Sequence, residues 1–289
     1  MSIVYLNGRF VAQEEALVPV EDRGFLFADG VYEVTPVYGG RFFLWDRHRD
    51  RLVRGLAELR IDADTGGLEA VQQRLLEENG LAAAPIAYVY LQITRGVAPR
   101  THAFPTEPVE PTVYGFAREY QRPSAERWER GFHAITVPDR RWSRLDLKTV
   151  CLLPNVLAQQ AAVEAGVDDA LFVRDGVVLE GAHNNFFAVF GRQLVTHPAT
   201  HQILGGITRG LVIEMSVGLG LDVAERALQI EELAHADEAF FTGTTTEVRP
   251  AVTIDGHEVG DGSVGPVSRE VFAALRARAE RVSEGAPAG

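Results

Sequence analysis

Residues 31–59 read VYEVTPVYGGRFFLWDRHRDRLVRGLAEL. Val31 to Tyr38 and Arg41 to Trp45 are rich in β-branched and aromatic residues and flank Gly39-Gly40, a dipeptide that favours a tight hairpin turn. Asp46 then offers a carboxylate to cap a helix, and Leu52, Leu56 and Leu59 recur at helical spacing. A hairpin running straight into a helix is not a βαβ unit, so the stretch points to an α+β chain. On its N-terminal side, Ile3 to Leu6 and Arg9 to Val11 flank Asn7-Gly8, a second hairpin signal. On its C-terminal side a helix from about Leu68 to Asn79 ends at Gly80, and strands are expected at Ala87 to Thr94 and Thr112 to Ala117. The long loop between those strands, Gly96 to Pro108, is stiffened by Pro99 and Pro105.

Arg118 to Glu126 is polar and contains Gln121-Arg122-Pro123-Ser124. It reads as a linker over residues 118–125 between an N-terminal α+β domain, 1–117, and a C-terminal α+β domain, 126–289. The second domain is expected to hold a strand at Phe132 to Val137 and a helix from Pro154 to Ala165, stopped by Gly166. Hairpins follow at Asp169 to Val173 with Val177 to Glu180, and at Phe186 to Phe190 with Gln193 to Thr196. Gly205-Gly206-Ile207-Thr208 opens a helix to about Val217, Glu238 to Thr242 is a strand, and Val267 to Val282 is the last helix before a frayed tail.

The 289 residues include 28 basic against 40 acidic ones, a net charge of −12, which argues against a general binder of nucleic-acid phosphates. Cys151 is the only cysteine, so neither an internal disulfide nor a multi-cysteine metal site can form. The N-terminal residues lack a basic start followed by an apolar run, and uncharged stretches such as Gly80 to Thr94 and Thr149 to Val163 are too short to span a bilayer. A soluble, cytoplasmic protein is expected, with no nucleic-acid or membrane partner.

Of the 28 basic residues, 27 are Arg and one is Lys, Lys148. Positions that need only positive charge accept either residue. A position that needs a primary amine cannot accept guanidinium, which stays protonated and is a poor nucleophile. A carbonyl cofactor carrying a phosphate would also need an anion site. Gly205-Gly206-Ile207-Thr208 at a helix start has that form, and Gly243-Thr244-Thr245-Thr246 supplies further donors. A plain helix junction and a polar turn give the same two patterns. In the long loop, Arg100 and His102 stand at i, i+2 and suit a substrate carboxylate, although most such pairs are simply solvated. Glu180 ends a strand before Gly181, where it is placed either for a cleft or for a salt bridge.

Together these segments resemble the pyridoxal-phosphate aminotransferases of fold type IV, in the family's order from Asp22-Arg23-Gly24 to Thr246-Glu247. Asp29-Gly30-Val31-Tyr32-Glu33-Val34 is similar to the first-domain signature, which implies Tyr32 as the active-site tyrosine. His48-Arg49-Asp50-Arg51-Leu52 implies Arg51 as the phosphate arginine. Asp146-Leu147-Lys148-Thr149 with Leu153-Pro154-Asn155 implies Lys148 as the lysine that bonds pyridoxal 5′-phosphate. Leu179-Glu180-Gly181 with Asn185 gives Glu180 as the partner of the pyridine nitrogen. Ile203-Leu204 with Gly206-Ile207-Thr208-Arg209 gives Leu204 against the ring and Ile207 and Thr208 at the phosphate, and Thr244 falls on the phosphate-binding threonine. Arg95-Gly96 with Pro99-Arg100-Thr101-His102 resembles the D-amino-acid aminotransferases, in which that Arg and His cross a homodimer interface and join the tyrosine on the substrate carboxylate. Ala182-His183-Asn184 departs from the run of serines that the best-known members carry there.

The resemblance implies two domains with the cofactor site between them, and a ping-pong transfer of an amino group from a D-amino acid such as D-alanine or D-glutamate to a 2-oxo acid. Lys148 would move the proton, and Glu180 would keep the ring nitrogen protonated. Three rival readings stand beside this one: an (R)-amine transaminase, an aminodeoxychorismate lyase and a catalytically silent scaffold. Arg100 and His102 argue against the first two, and the lone lysine argues against the third.

Overall fold

Asn7 (φ 47°) and Gly8 (φ 83°) occupy the left-handed region that a two-residue hairpin turn needs. They join β1 (Ile3–Leu6) to β2 (Arg9–Ala12) in the expected register, Leu6 opposite Arg9. In the computed structural model, which describes residues 2–285, the chain divides into two units. The first holds the chain up to Gln121, the segment Leu147–Cys151 and the chain from Ala279; the second holds Arg122–Asp146 and Leu152–Arg278. Among the described residues no helix is long and apolar enough to cross a membrane. The last four residues of the expected tail lie outside the described residues.

After the short helix α1 (Arg23–Phe27), the first unit contains β3 (Gly30–Tyr38), β4 (Arg41–Phe42), α2 (Trp45–Leu59), α3 (Leu68–Glu78), β5 (Ile86–Thr94) and β6 (Thr112–Glu119). The strands form one antiparallel sheet in the order β2-β1-β6-β5-β3-β4. Alternation along β3 divides its side chains between two faces. Val31 packs with Leu52 and Leu56 of α2, and Val37 with Leu75 and Leu76 of α3. Tyr32 and Val34 lie on the opposite face.

Three local expectations need correction. β4 stops at Phe42 instead of reaching Trp45, and Asp46 does not cap α2. Leu44 turns the chain at φ 58°, Trp45 enters the core as the first helical residue, and the Asp46 carboxylate pairs with Arg49 at 3.1 Å. At the other end of the unit, β6 continues through Arg118 and Glu119, where a linker was expected, because both pair in register with β5.

The second unit contains α4 (Ala125–Glu129), β7 (Phe132–Pro138), α5 (Leu153–Glu164), β8 (Asp169–Arg174), β9 (Val177–Gly181), β10 (Asn185–Phe190), β11 (Gln193–Thr196), α6 (Ile207–Gly218) and β12 (Asp222–Glu225). After these come β13 (Leu228–Gln229), β14 (Glu238–Gly243), β15 (Glu247–Ile254), β16 (His257–Glu258) and α7 (Pro266–Ser283), the last crossing between units at Arg278. Strands β10, β14, β15, β7, β8 and β9 pair in turn, and the pair of Asn185 with Glu180 joins β10 back to β9. The six strands therefore meet in a ring that a single residue pair closes, with β11 covering the rest of β10 and β13 the rest of β9. Its core is apolar and includes Leu171, Val178, Phe186, Phe241 and Ala251. β7 and β8 run parallel, so the chain between them must cross over. That crossover carries Lys148 and then α5.

Candidate active site

Two groups of side chains carry the chemistry, one in each unit. In the first, residues around Lys148 run beside the start of β3: Thr149 bridges Val31, the Tyr32 amide donates to the Lys148 carbonyl at 3.0 Å, and the Val150 amide donates to the Gly30 carbonyl at 3.2 Å. These bonds explain why Lys148 clusters with the first unit, although its sequence position suggested the C-terminal domain. They also place the Lys148 amine 4.1 Å from the centre of the Tyr32 ring. No carboxylate of the described residues pairs with that amine.

Behind this pair lies an ionic cluster. Arg51 donates to both oxygens of Glu33, at 2.9 and 2.7 Å, and His48 Nδ1 stands 3.0 Å from the same carboxylate. Glu33 and His48 are each 1 % exposed. Burial opposes ionisation of Glu33, but Arg51 and His48 overcome it and hold the carboxyl well below the usual range. Burial, with the Arg51 and Lys148 charges, pushes His48 down against the pull of Glu33. The expected phosphate arginine is thus fixed in orientation by a carboxylate that the sequence reading left without a role. The available signal was a charged residue on the face of β3 that Val31 and Val37 turn toward helices.

Arg100 and His102 meet at one ring. Phe27 lies 5.2 Å from the Arg100 guanidinium and 5.6 Å from the His102 ring. Their loop is anchored at its base: Asp29 accepts from Arg23 and Arg95 at 2.8–3.0 Å, and Arg23 also donates to the Thr101 carbonyl at 2.8 Å. The two expected carboxylate ligands are therefore exposed side chains on a pinned loop.

In the second unit Glu180 sits where β9 joins β10. Its carboxylate accepts from Arg141 at 2.5 Å, from Asn185 Nδ2 at 3.0 Å and from the Leu204 amide at 3.2 Å. Burial pushes this carboxyl up to about 7, against the pull of Arg141. Arg141 is held in turn by Asp139 at 2.9 Å, and Asp139 by Arg174 at 2.8 Å. Neither Arg141 nor Asp139 stood out in the sequence, because one arginine among 27 carries no local signal.

The Asn185 amide also donates to the Leu204 carbonyl, so the turn before α6 is tied to Glu180. α6 then starts at Gly206 with no side chain capping it, which leaves first-turn amides of Ile207 and Thr208 for an external anion. A Cβ on Gly206 would stand 2.0 Å from Asn185 Oδ1, so only glycine fits there. Thr244 lies in the turn between β14 and β15, which ends at Glu247 in the left-handed region (φ 53°), clamped by Arg122 at 2.6 and 2.7 Å.

Each unit, taken by itself, offers groups of the kind that pyridoxal phosphate needs. In the first, the Lys148 amine suits its aldehyde and the Arg51 guanidinium suits its phosphate; in the second, the buried Glu180 carboxylate suits a protonated ring nitrogen, and the uncapped start of α6 and Thr244 suit a phosphate.

Residues 30–254 match the family model described as amino-transferase class IV. The D-alanine aminotransferase of Staphylococcus haemolyticus is 41 % identical over 94 % of this chain and 95 % of its own. That of Bacillus licheniformis is 40 % identical over the same shares. Among solved structures, the Escherichia coli branched-chain amino acid aminotransferase superposes with a TM-score of 0.87 at 26 % identity, covering 96 % of this chain and 94 % of its own. The branched-chain amino acid aminotransferase of Thermoproteus uzoniensis, solved with norvaline, gives 0.83 at 27 % identity, with the same coverage. A further branched-chain enzyme, solved with pyridoxamine 5′-phosphate, gives 0.84 at 27 % identity, again over 96 % of this chain and 94 % of its own.

Proposed function

The chain belongs to the class IV aminotransferase family, and on that premise we propose that it transfers an amino group from a D-amino acid to a 2-oxo acid, with Lys148 as its catalytic residue. The enzyme depends on pyridoxal phosphate, which when bound supplies the carbonyl that joins the substrate amine and the ring that withdraws electrons from Cα. The observation that carries the reading is the only lysine of the chain, its amine free of ion pairs among the described residues and lying over the Tyr32 ring.

Lys148 Nζ takes the proton from one carbon and returns it to another, as base and then as acid. Glu180, oriented by Arg141 and Asn185, supplies the negative charge opposite the ring nitrogen. Arg51, the Ile207 and Thr208 amides and Thr244 hold the phosphate, and Leu204 packs on the ring. Tyr32, Arg100 and His102 take the substrate α-carboxylate. That trap favours amino acids over simple amines, which have no carboxylate to hold. Arg100 and His102 act across a homodimer interface, a reading supported by their exposure and by the bare apolar side chains of Leu17, Val20 and Phe25. The single cysteine supports a reducing, cytoplasmic location.

The test is an absorption spectrum of the purified protein before and after D-alanine, with L-alanine as the control. D-alanine alone should convert the visible cofactor band to the shorter-wavelength pyridoxamine form, and Lys148→Ala should abolish the conversion. A response to L-alanine instead overturns the stereochemistry. A protein that stays colourless with added cofactor overturns the activity.

A further inference from the structure

The sheet face that carries Tyr32 holds a second set of polar groups. Strand register places Tyr32 opposite Gln92, and Gln92 opposite Tyr114, so the three side chains form a row across β3, β5 and β6. The row beside it is Val34, Tyr90 and Phe116. Tyr90 stacks on Tyr32, with centroids 5.5 Å apart, and on Phe116 at 5.0 Å. Its hydroxyl donates to Gln92 Oε1 at 2.7 Å.

That bond fixes the chemistry of the row. It turns Gln92 Oε1 toward Tyr90 and leaves the two N–H donors of the amide facing elsewhere. No described residue accepts from them, and none bonds the Tyr114 or Tyr32 hydroxyl. Burial pushes the Tyr90 and Tyr114 phenols up, so both keep their protons. The residues of β3, β5 and β6 on this face include no carboxylate, while Arg118 lies over Phe116 at 4.7 Å and Lys148 over Tyr32. A half-buried row of donors without an acidic neighbour suits an anion. Adjacent strands stand about 4.8 Å apart. A carboxylate at Gln92 and Tyr114 therefore lies a short methylene chain away from one at Tyr32.

We propose that Gln92 and Tyr114 form a side-chain subsite for the distal carboxylate of a dicarboxylic amino acid or oxo acid, oriented by Tyr90. The proposal rests on the reading that Tyr32 takes the α-carboxylate. It makes D-glutamate and 2-oxoglutarate better matched to this site than D-alanine and pyruvate.

The experiment compares wild-type holoenzyme with Gln92→Leu and Tyr114→Phe, both close in size to the residues they replace. Two quantities are read: the ratio of kcat/KM for D-glutamate to that for D-alanine, and calorimetric binding of glutarate against butyrate. Each substitution should lower the kcat/KM ratio about tenfold, since each removes a hydrogen bond to a charged group. Glutarate should bind wild type more tightly than butyrate, and the advantage should shrink in both variants. An unchanged ratio in both variants, or glutarate binding no better than butyrate, overturns the subsite and leaves the D-alanine activity standing. Loss of the wild-type D-alanine reaction itself would instead overturn the reading on which the subsite depends.

Discussion

Replacing Arg141 with Met removes a guanidinium that joins two buried carboxylates and keeps a flexible apolar chain against Phe172, whose ring lies 4.0 Å from the charge. Breaking a buried ion pair by deleting one partner costs about 3–5 kcal/mol. Here neither carboxylate is left bare: Asp139 keeps Arg174 at 2.8 Å, and Glu180 keeps Asn185 and the Leu204 amide. The cost should fall at the low end, about 3 kcal/mol, which for a chain of this size is a loss of roughly 6–12 °C in Tm. The functional effect has a sign as well. Arg141 pulls the Glu180 carboxyl down, so its removal raises Glu180 further and favours the protonated form. The acidic limb of the kcat/KM profile should move to higher pH, with activity partly regained on the alkaline side. Adding Glu180→Gln removes the carboxyl that has lost its guanidinium and should recover part of the lost Tm without recovering activity. Thermal melts and pH profiles of the three proteins decide the matter. An Arg141→Met variant with wild-type Tm and an unmoved acidic limb would refute the argument.

Two more perturbations follow from the same unit. Gly206→Ala drives a methyl against Asn185 Oδ1 at 2.0 Å and should break its bonds to Glu180 and Leu204, weakening cofactor binding by roughly 30- to 150-fold. Gly210→Ala, in the same helix with open space at its Cβ, is the control and should bind cofactor normally; equal titration curves for the two variants would sink the idea. In cofactor-free protein, Glu180 has a folded pKa of about 7 against an ordinary value of 4.5, so the folded state holds the proton more tightly. Its contribution to stability is full below the lower value and is lost as pH rises through the upper one, about 3 kcal/mol in all. Denaturation of wild type and Glu180→Gln at acid and mildly alkaline pH measures that slope, and identical slopes would contradict the assignment.

What could be read from sequence was what local chemistry enforces. Asn7-Gly8 and Gly39-Gly40 fix their hairpins, and Gly80 and Gly166 end their helices, because the conformations they need are written in adjacent residues. Lys148 was legible through composition, since no arginine can replace an amine. The misread start of α2 was also a local matter, with Trp45 entering the core from a left-handed Leu44 where a polar cap had been expected. The ion pairs of Arg141 with Glu180 and of Arg51 with Glu33 were not legible. Arg141, in the chain after β7, meets Glu180 of β9 across 39 positions, and Arg51 of helix α2 meets Glu33 of β3 across 18; an arginine-rich chain gives no local mark to the arginine that matters. Gln92 escaped notice for a related reason. Its meaning comes from the tyrosines opposite and beside it in the sheet, and neighbours in sequence do not reveal it.

The crossover segment has a consequence for how this protein is made and divided. Because Leu147–Cys151 and the chain from Ala279 cluster with the N-terminal unit, the polypeptide passes between units four times, and no single cut yields two intact halves. A ribosome releasing the chain from its N-terminus delivers the first sheet early but finishes that unit only when the last helix has emerged. A gene split near residue 121 would encode a fragment with the sheet and its tyrosines but without the amine that gives them a purpose.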